Sequence, residues 1–354
     1  MTRVSTAYAR HQPILVSLLP IVLAVATAAC AGSGSSATLT PGGASAPIPS
    51  SVGDPAEALQ NDFVAVVQRI SPSVVQIQDS QGLGSGIVFD RQGDIVTNAH
   101  VVADATTFTV TFADGKTDSA TLLDAYTPND LAVIRVQGNG EGLSPAVFAD
   151  SAKLQVGDVV LAIGNPLGLR SSVTEGIISA FRTGVSESNG SMLPSVIQTS
   201  AAINPGNSGG ALVDLTGDVV GIPTLAASDP QLGGTAPGIG FAIPSNTVKD
   251  LATQIVQSGH VVNSHRAYLG VQVGASSGQG AVITGVVSGG PAANAGLTAG
   301  DVITSLGGAQ VRTPGELTSV LAGLQPGQSV SLGISRPDGS TAAVTVTLGT
   351  YPGG

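Results

Sequence analysis

A chain of 354 residues, 42% hydrophobic and 10% charged, has the material for a large core and for more than one domain. Its formal net charge of −10, with no basic run anywhere, excludes the phosphate-binding surfaces on which nucleic-acid recognition depends. Aromatic residues are 3% and Trp is absent, so the core must be aliphatic, and a single cysteine, Cys30, excludes an internal disulfide framework.

Residues 1–29 open with Arg3 and Arg10 and continue into the apolar run "PILVSLLPIVLAVATAA". A basic start, an apolar stretch and small residues before a cysteine have the pattern of a signal peptide of the lipoprotein type. Thr27-Ala28-Ala29-Cys30 resembles a lipobox, although Thr27 stands where Leu is commonest. Lipidation at Cys30 would hold the chain to a membrane on its extracytoplasmic side. An ordinary signal peptide or an uncleaved anchor, with Cys30 incidental, is the alternative. Residues 30–57 are dominated by Gly, Ser, Ala, Thr and Pro and read as a disordered tether.

The first folded domain is expected over 58–260. Leu59, Phe63, Val66, Val67 and Ile70 recur at helical spacing, and Ser71-Pro72 stops that helix. Short apolar strands then follow one another to about Pro244: "SVVQIQ", "GSGIVFD", "IVTNAHVV", "TFTVTF", "DLAVIRV", "VVLAIG", "EGIISAF", "PSVIQT", "GALVDL", "DVVGI" and "GIGFAI". Gly-rich turns separate them and no long helices intervene. This pattern predicts antiparallel barrels or a sandwich rather than βαβ units. Asn246 is expected to cap a helix with Val248, Leu251, Ala252, Ile255 and Val256 on one face, stopped by Gly259. A hinge over His260–Arg266 leads to a second unit over 267–350, with five more strands and a helix starting after Thr313.

The stretch "QTSAAINPGNSGGALV" frames Ser208 with glycines inside a β context, which marks close backbone approach. A serine hydroxyl attacks a carbonyl only when a base takes its proton. Of the four histidines, His11 lies in the leader and His260 and His265 in the polar hinge, which leaves His100, in "TNAHVV", as the best base. Asp130 opens an apolar strand and is better placed than Asp124 or Asp150 to orient an imidazole. The backbone N–H groups of the loop, at Gly206, Asn207 and Ser208, are the expected oxyanion hole. Gly206-x-Ser208-x-Gly210 also fits the nucleophile elbow of α/β-hydrolases, with His260 or His265 as base. That arrangement needs βαβ units, whereas the order His100, Asp130, Ser208 belongs to the chymotrypsin type.

On the motifs "GSGIVFD…IVTNAHVV", "NDLAVIRV", "QTSAAINPGNSGGALVD…GDVVGI" and "GIGFAIP", the chain resembles the HtrA/Deg family of trypsin-like serine proteases over about 60–350. The resemblance implies a mainly β fold: a chymotrypsin-like double β-barrel protease domain followed by a PDZ domain. It implies an ATP-independent serine endoprotease of the cell envelope that degrades unfolded or damaged proteins, works without metal or cofactor, and assembles as a homo-oligomer, often a trimer. The resemblance makes Phe63 a candidate trimer contact, but core packing is the favoured reading of it. Tyr268, Leu269, Gly270 and Val271 match the PDZ carboxylate-binding loop, and Leu317 and Leu321 would line its groove for peptide C-termini. Ser200 departs from the Asp common in the family at that position. The family uses residues 223–237 to shape the pocket for the side chain before the cleaved bond; this stretch places no acid persuasively for Lys or Arg, so small aliphatic residues are expected there. A chaperone or peptide-binding protein with regulated or minor proteolysis is the alternative.

Overall fold

The computed structural model describes residues 55–80, 82–138, 140, 142–165, 172–186, 192–204, 206–229, 234–276, 278 and 280–352. The expected targeting segment, Cys30 and the tether up to residue 54 lie outside them. The tether expectation fails at its end, because residues 55–57 are already helical in α1 (Pro55–Ile70). Pro at the first helical position is preorganised for the helix, and Glu57 lies in the first turn, where the helix dipole favours negative charge.

The first barrel is built from β1 (Val74–Gln78), β2 (Leu83–Val88), β3 (Asp94–Thr97), the one-turn α2 (Ala99–Val102), β4 (Thr107–Thr111), β5 (Thr117–Tyr126) and β6 (Leu131–Val136). Its strands close in the order β1-β2-β3-β6-β5-β4. The second uses β7 (Val159–Gly164), β8 (Ser172–Arg182), β11 (Val196–Thr199), β12 (Ala211–Val213), β13 (Val219–Asp229) and β14 (Gly234–Pro244), closed in the order β11-β14-β13-β12-β7-β8. A small hairpin of β9 (Val185–Ser186) and β10 (Met192–Leu193) projects between β8 and β11.

Many of the strands serve two cores at once. In β6, Leu131 and Val133 join the core shared by the two barrels, while Ala132, Ile134 and Val136 fill the first barrel. In β7, Leu161 and Ile163 face the shared core, and Val160 and Ala162 fill the second barrel. In β12, Ala211 and Val213 face outward to that core and Leu212 inward. Strands buried on both faces read as continuous apolar runs instead of alternating ones, as "LAVIRV" and "VVLAIG" do. The shared core also takes Val66 and Ile70 of α1 and the apolar face of α3 (Ser245–Ser258), so both barrels and both helices form one body.

Gly259 ends α3 as expected, at φ +79° with its N–H on the carbonyl of Ile255. Asn246 does not cap it. Pro244 holds the cap position, and Asn246 lies inside the first turn, its side chain spent on Asp150 (2.7 Å) and the N–H of Ser151 (3.3 Å).

The hinge is shorter than expected, because Asn263–Tyr268 forms β15. It pairs with the last strand, β22 (Gly349–Pro352), so the second unit extends over 263–352 rather than 267–350. Between them lie β16 (Val271–Ala275), β17 (Ala281–Val286), α4 (Pro291–Asn294), β18 (Val302–Leu306), β19 (Ala309–Gln310), α5 (Pro314–Ala322), β20 (Ser329–Ser335) and β21 (Thr341–Thr347). The sheet runs β16-β17-β18-β20-β21 with β19 on β18, which leaves β16 at an edge. Leu269, Ile283, Leu306, Leu317, Leu332 and Val346 centre a separate core.

Candidate active site

His100 reaches its place because β3 ends at Thr97 and α2 starts two residues later, which turns the imidazole toward the end of β5 and β6. The chain between those strands makes a 3-10 turn over Thr127–Asn129 and delivers Asp130 in a left-handed conformation (φ +49°). A non-glycine residue held there is strained and needs restraint from its neighbours. Asp130 is completely buried and has it. Its carboxylate accepts the backbone N–H of His100 (3.0 Å), His100 Nδ1 (2.9 and 3.0 Å) and the hydroxyl of Thr224 (2.5 Å). Its own carbonyl accepts Asn98 Nδ2 at 3.1 Å. Charge-assisted bonds of this kind are what a buried carboxylate requires. With the carboxylate on Nδ1, that nitrogen carries the hydrogen and proton exchange falls to Nε2.

Ser208 stands half-buried on the loop between β11 and β12. Its hydroxyl donates to the carbonyl of Thr224 at 3.1 Å. Thr224, the residue after Pro223 in β13, thus touches Ser208 with its carbonyl and Asp130 with its hydroxyl, which joins the three candidates into one connected group. After Ser208 the loop has no room for side chains. A β-carbon on Gly209 would run into the carbonyl of Ser85 and the hydroxyl of Thr97, and one on Gly210 into the carbonyl of Ile163. Gly206 and Gly209 also hold φ of +116° and +78°, open to glycine at little cost.

The expected oxyanion hole needs one correction. The N–H of Asn207 donates to the carbonyl of Asn204 (3.1 Å), and the Asn207 side chain bonds the N–H of Asn204 and the carbonyl of Ala202. Asn207 braces the loop from within and has no N–H to offer. Among the described residues, no acceptor takes the N–H of Gly206 or Ser208.

The other histidines lie away from this group. His260 Nδ1 bonds the carbonyl of Ser258 (3.1 Å), and His265 Nε2 faces Asp250 (3.3 Å). Asp150 caps the turn after it at Ala152, and Asp124, on β5, has its pKa raised by burial. Ser200 pairs through its backbone and hydroxyl with Ile177 (3.1 and 3.0 Å), so it extends the β8–β11 contact. Thr224 was missed because a lone threonine at the end of "VVGIPT" carries no signal of its own.

In the second unit, Tyr268 packs edge-on against Tyr351 (5.5 Å), and the carbonyls of Leu269 and Gly270 accept the N–H groups of Ala292 and Val287 (both 2.9 Å). Gly270 has φ +77°, and the N–H groups of Leu269 and Gly270 have no acceptor among the described residues. Val271 begins the edge strand β16. Leu317 is 2% exposed inside the core, so it does not line a groove, because it occupies the innermost row of α5. Leu321 is partly buried and lines a cavity of about 510 Å³ shared with Asn129, Asp250 and Arg266.

Residues 84–222 match the trypsin-like peptidase domain model and residues 267–348 the PDZ domain model. The chain is 40% identical over 306 residues to serine protease PepD of Mycobacterium tuberculosis, covering 80% of this chain and 65% of that protein. It is 41% identical over 284 residues to the periplasmic serine endoprotease DegP of Escherichia coli, covering 77% and 58%. It therefore spans about three-fifths of the length of these relatives. The structure of the HtrA-type protease AlgW with decapeptide superposes with a TM-score of 0.59 at 32% identity, covering 82% of this chain and 99% of that one.

Proposed function

The chain belongs to the HtrA/Deg family of trypsin-like serine proteases, and from that premise we propose that it is a serine endopeptidase acting through Ser208, His100 and Asp130. Ser208 Oγ bonds to the scissile carbonyl carbon as its proton passes to His100 Nε2. The developing oxyanion lies on the N–H groups of Gly206 and Ser208. The proton then goes to the leaving amine, and a water repeats the cycle on the acyl-enzyme. The observation that carries this reading is the completely buried Asp130 carboxylate bonded to His100 Nδ1 at 2.9 Å, because only that contact fixes the tautomer that makes Nε2 a base.

Its substrates are unfolded or damaged proteins and peptides. Strand β11 and the loop after it, to Gly210, carry no acid and bury Ile203, which favours a small aliphatic side chain before the cleaved bond. Peptide C-termini bind at the PDZ unit, their carboxylate on the N–H groups of Leu269 and Gly270 and their backbone along β16. The protease unit ends near 260 and the PDZ unit begins at 263. Relatives named as periplasmic endoproteases and the leader sequence both favour an extracytoplasmic location, with a lipid at Cys30 as the anchor. Leu59 and Val64 on α1 and Val173, Ile177 and Phe181 on β8 are exposed apolar side chains, and two further copies in a trimer would cover them.

Casein turnover and labelling by a fluorophosphonate probe test the catalytic assignment. Wild type should cleave and label, and Ser208→Ala should do neither while keeping its melting temperature. Cleavage that persists in Ser208→Ala refutes it. Suppression of aggregation by Ser208→Ala would show that a binding role coexists with proteolysis.

A further inference from the structure

The serine of Gly84-Ser85-Gly86 in β2 has no role in the reaction as described. A serine enclosed in an apolar strand is unfavourable unless its hydroxyl is used, and Ser85 is completely buried. The hydroxyl donates to the carbonyl of Gly206 (2.6 Å) and accepts the N–H of Asn165 (2.8 Å), the first residue after β7. The backbone N–H of Ser85 donates to the carbonyl of Ser208 (3.1 Å). Its carbonyl accepts the hydroxyl of Thr97 (2.7 Å), three residues before His100. Ser85 is thus bonded at once to the strand that leads to the base, to the end of β7 in the opposite barrel, and to the loop that bears the nucleophile. The contact is close: a β-carbon on Gly164 would strike the carbonyl of Gly206.

We propose that Ser85 is a positioning residue of the catalytic site, whose hydroxyl and backbone set the nucleophile loop in register with the strand leading to His100. The inference rests on the serine-protease reading above. Base and nucleophile belong to different barrels, so their hydrogen-bond reach depends on what joins the barrels beside them. Gly206, at φ +116°, has no side chain to resist rotation of its peptide groups. The peptide between Gly206 and Asn207 is instead held at both ends, its carbonyl by the Ser85 hydroxyl and its N–H by the carbonyl of Asn204. Both residues whose N–H groups receive the oxyanion therefore have their carbonyls pinned by Ser85. Removing the hydroxyl should weaken the transition state far more than the bound substrate.

The experiment measures kcat and KM on a quenched fluorescent peptide, together with melting temperatures, for wild type, Ser208→Ala, Ser85→Ala, Ser85→Cys and Ser245→Ala. Ser245 is the control: it too is completely buried, but its hydroxyl donates to the carbonyl of Ala149 (2.7 Å), away from the site. Ser85→Ala should lower kcat by about 10- to 100-fold with KM within about twofold. It should weaken a peptide boronate, which copies the tetrahedral oxyanion, by a similar factor, yet bind an uncleaved product peptide as wild type does. Ser85→Cys, with its weak thiol donor, should fall between. Ser245→Ala should lose melting temperature and keep kcat. Wild-type kcat in Ser85→Ala overturns the proposal, as does a loss of kcat in Ser245→Ala that matches it at equal loss of melting temperature. If Ser85→Ala does not fold, Ser85→Cys decides, and wild-type kcat there overturns the proposal. A wild type no more active than Ser208→Ala refutes the protease reading itself, and the role of Ser85 with it.

Discussion

Thr224 holds the Asp130 carboxylate with its hydroxyl and the Ser208 hydroxyl with its carbonyl, and only the first contact depends on its side chain. Thr224→Val keeps the shape and removes that donor. A hydrogen bond to a charged group contributes about 1.5–3 kcal/mol, so kcat should fall by about 10- to 100-fold, measured by steady-state hydrolysis, with the fold intact. Asp124 gives a prediction in pH. Burial raises its pKa, and the N–H groups of Ala125 and Val261 and the nearby His260 offset this only in part. A raised carboxyl pKa means that folding disfavours the charged form. The penalty is absent below the ordinary value of about 3.9, grows as pH rises through the folded value, and is complete at neutral pH. Asp124→Asn should therefore melt above wild type at neutral pH, and the difference should close in acid; a constant difference across the titration would contradict this. His100, Asp130 and Ser208 stood out in the sequence because each falls at the edge of an apolar strand in an order that suits one chemistry. Thr224 and Ser85 did not, because their use is visible only once two barrels meet.

Among the elements, those with a local cause were legible. The α5 cap is one: Thr313 accepts the N–H of Glu316 (3.1 Å), and the Glu316 carboxylate returns to the N–H of Arg312 (2.7 Å). Thr313→Ala should destabilise the PDZ unit by about 1 kcal/mol, read as a loss of hydrogen-exchange protection confined to 263–352. The strands of both barrels were legible from their apolar runs and Gly-rich turns. What escaped was decided by distant partners. Asn246 looked like a cap, but Asp150 and Ser151 claim its side chain. Residues 263–266 looked like a hinge because their pairing partner, β22, lies some eighty residues away. The PDZ resemblance gives Leu317 to the groove, whereas its side chain packs into the core of the unit.

At the scale of the whole molecule, one side chain links three regions. Arg266 leaves β15 and donates to the carbonyl of Pro128 (2.8 Å), in the turn before Asp130, and to that of Met192 (3.0 Å) on β10, with its guanidinium over the ring of Tyr351. Burial lowers its pKa. Units joined by a short connection move relative to each other unless something fixes them. Arg266→Ala in the Ser208→Ala background should be clipped faster between 259 and 266 by added thermolysin. Arg266→Lys should not restore protection, because one ammonium cannot hold two carbonyls in the geometry of a planar fork. Unchanged clipping in both variants would remove Arg266 from this role.

The pairing of β15 with β22 has a consequence of its own. The strand that leads into the PDZ unit, β15, is zipped beside α3 to its last strand, β22, so the chain enters the unit through a single stem. It is a cassette: it can be exchanged for another at the junction between α3 and β15, without breaking any strand of either barrel. Such an exchange would strip from the protease the Arg266 clasp on Pro128 and Met192 and the contact of Ser319 with Met192, so a transplanted cassette would have to bring an arginine of its own at the base of its stem.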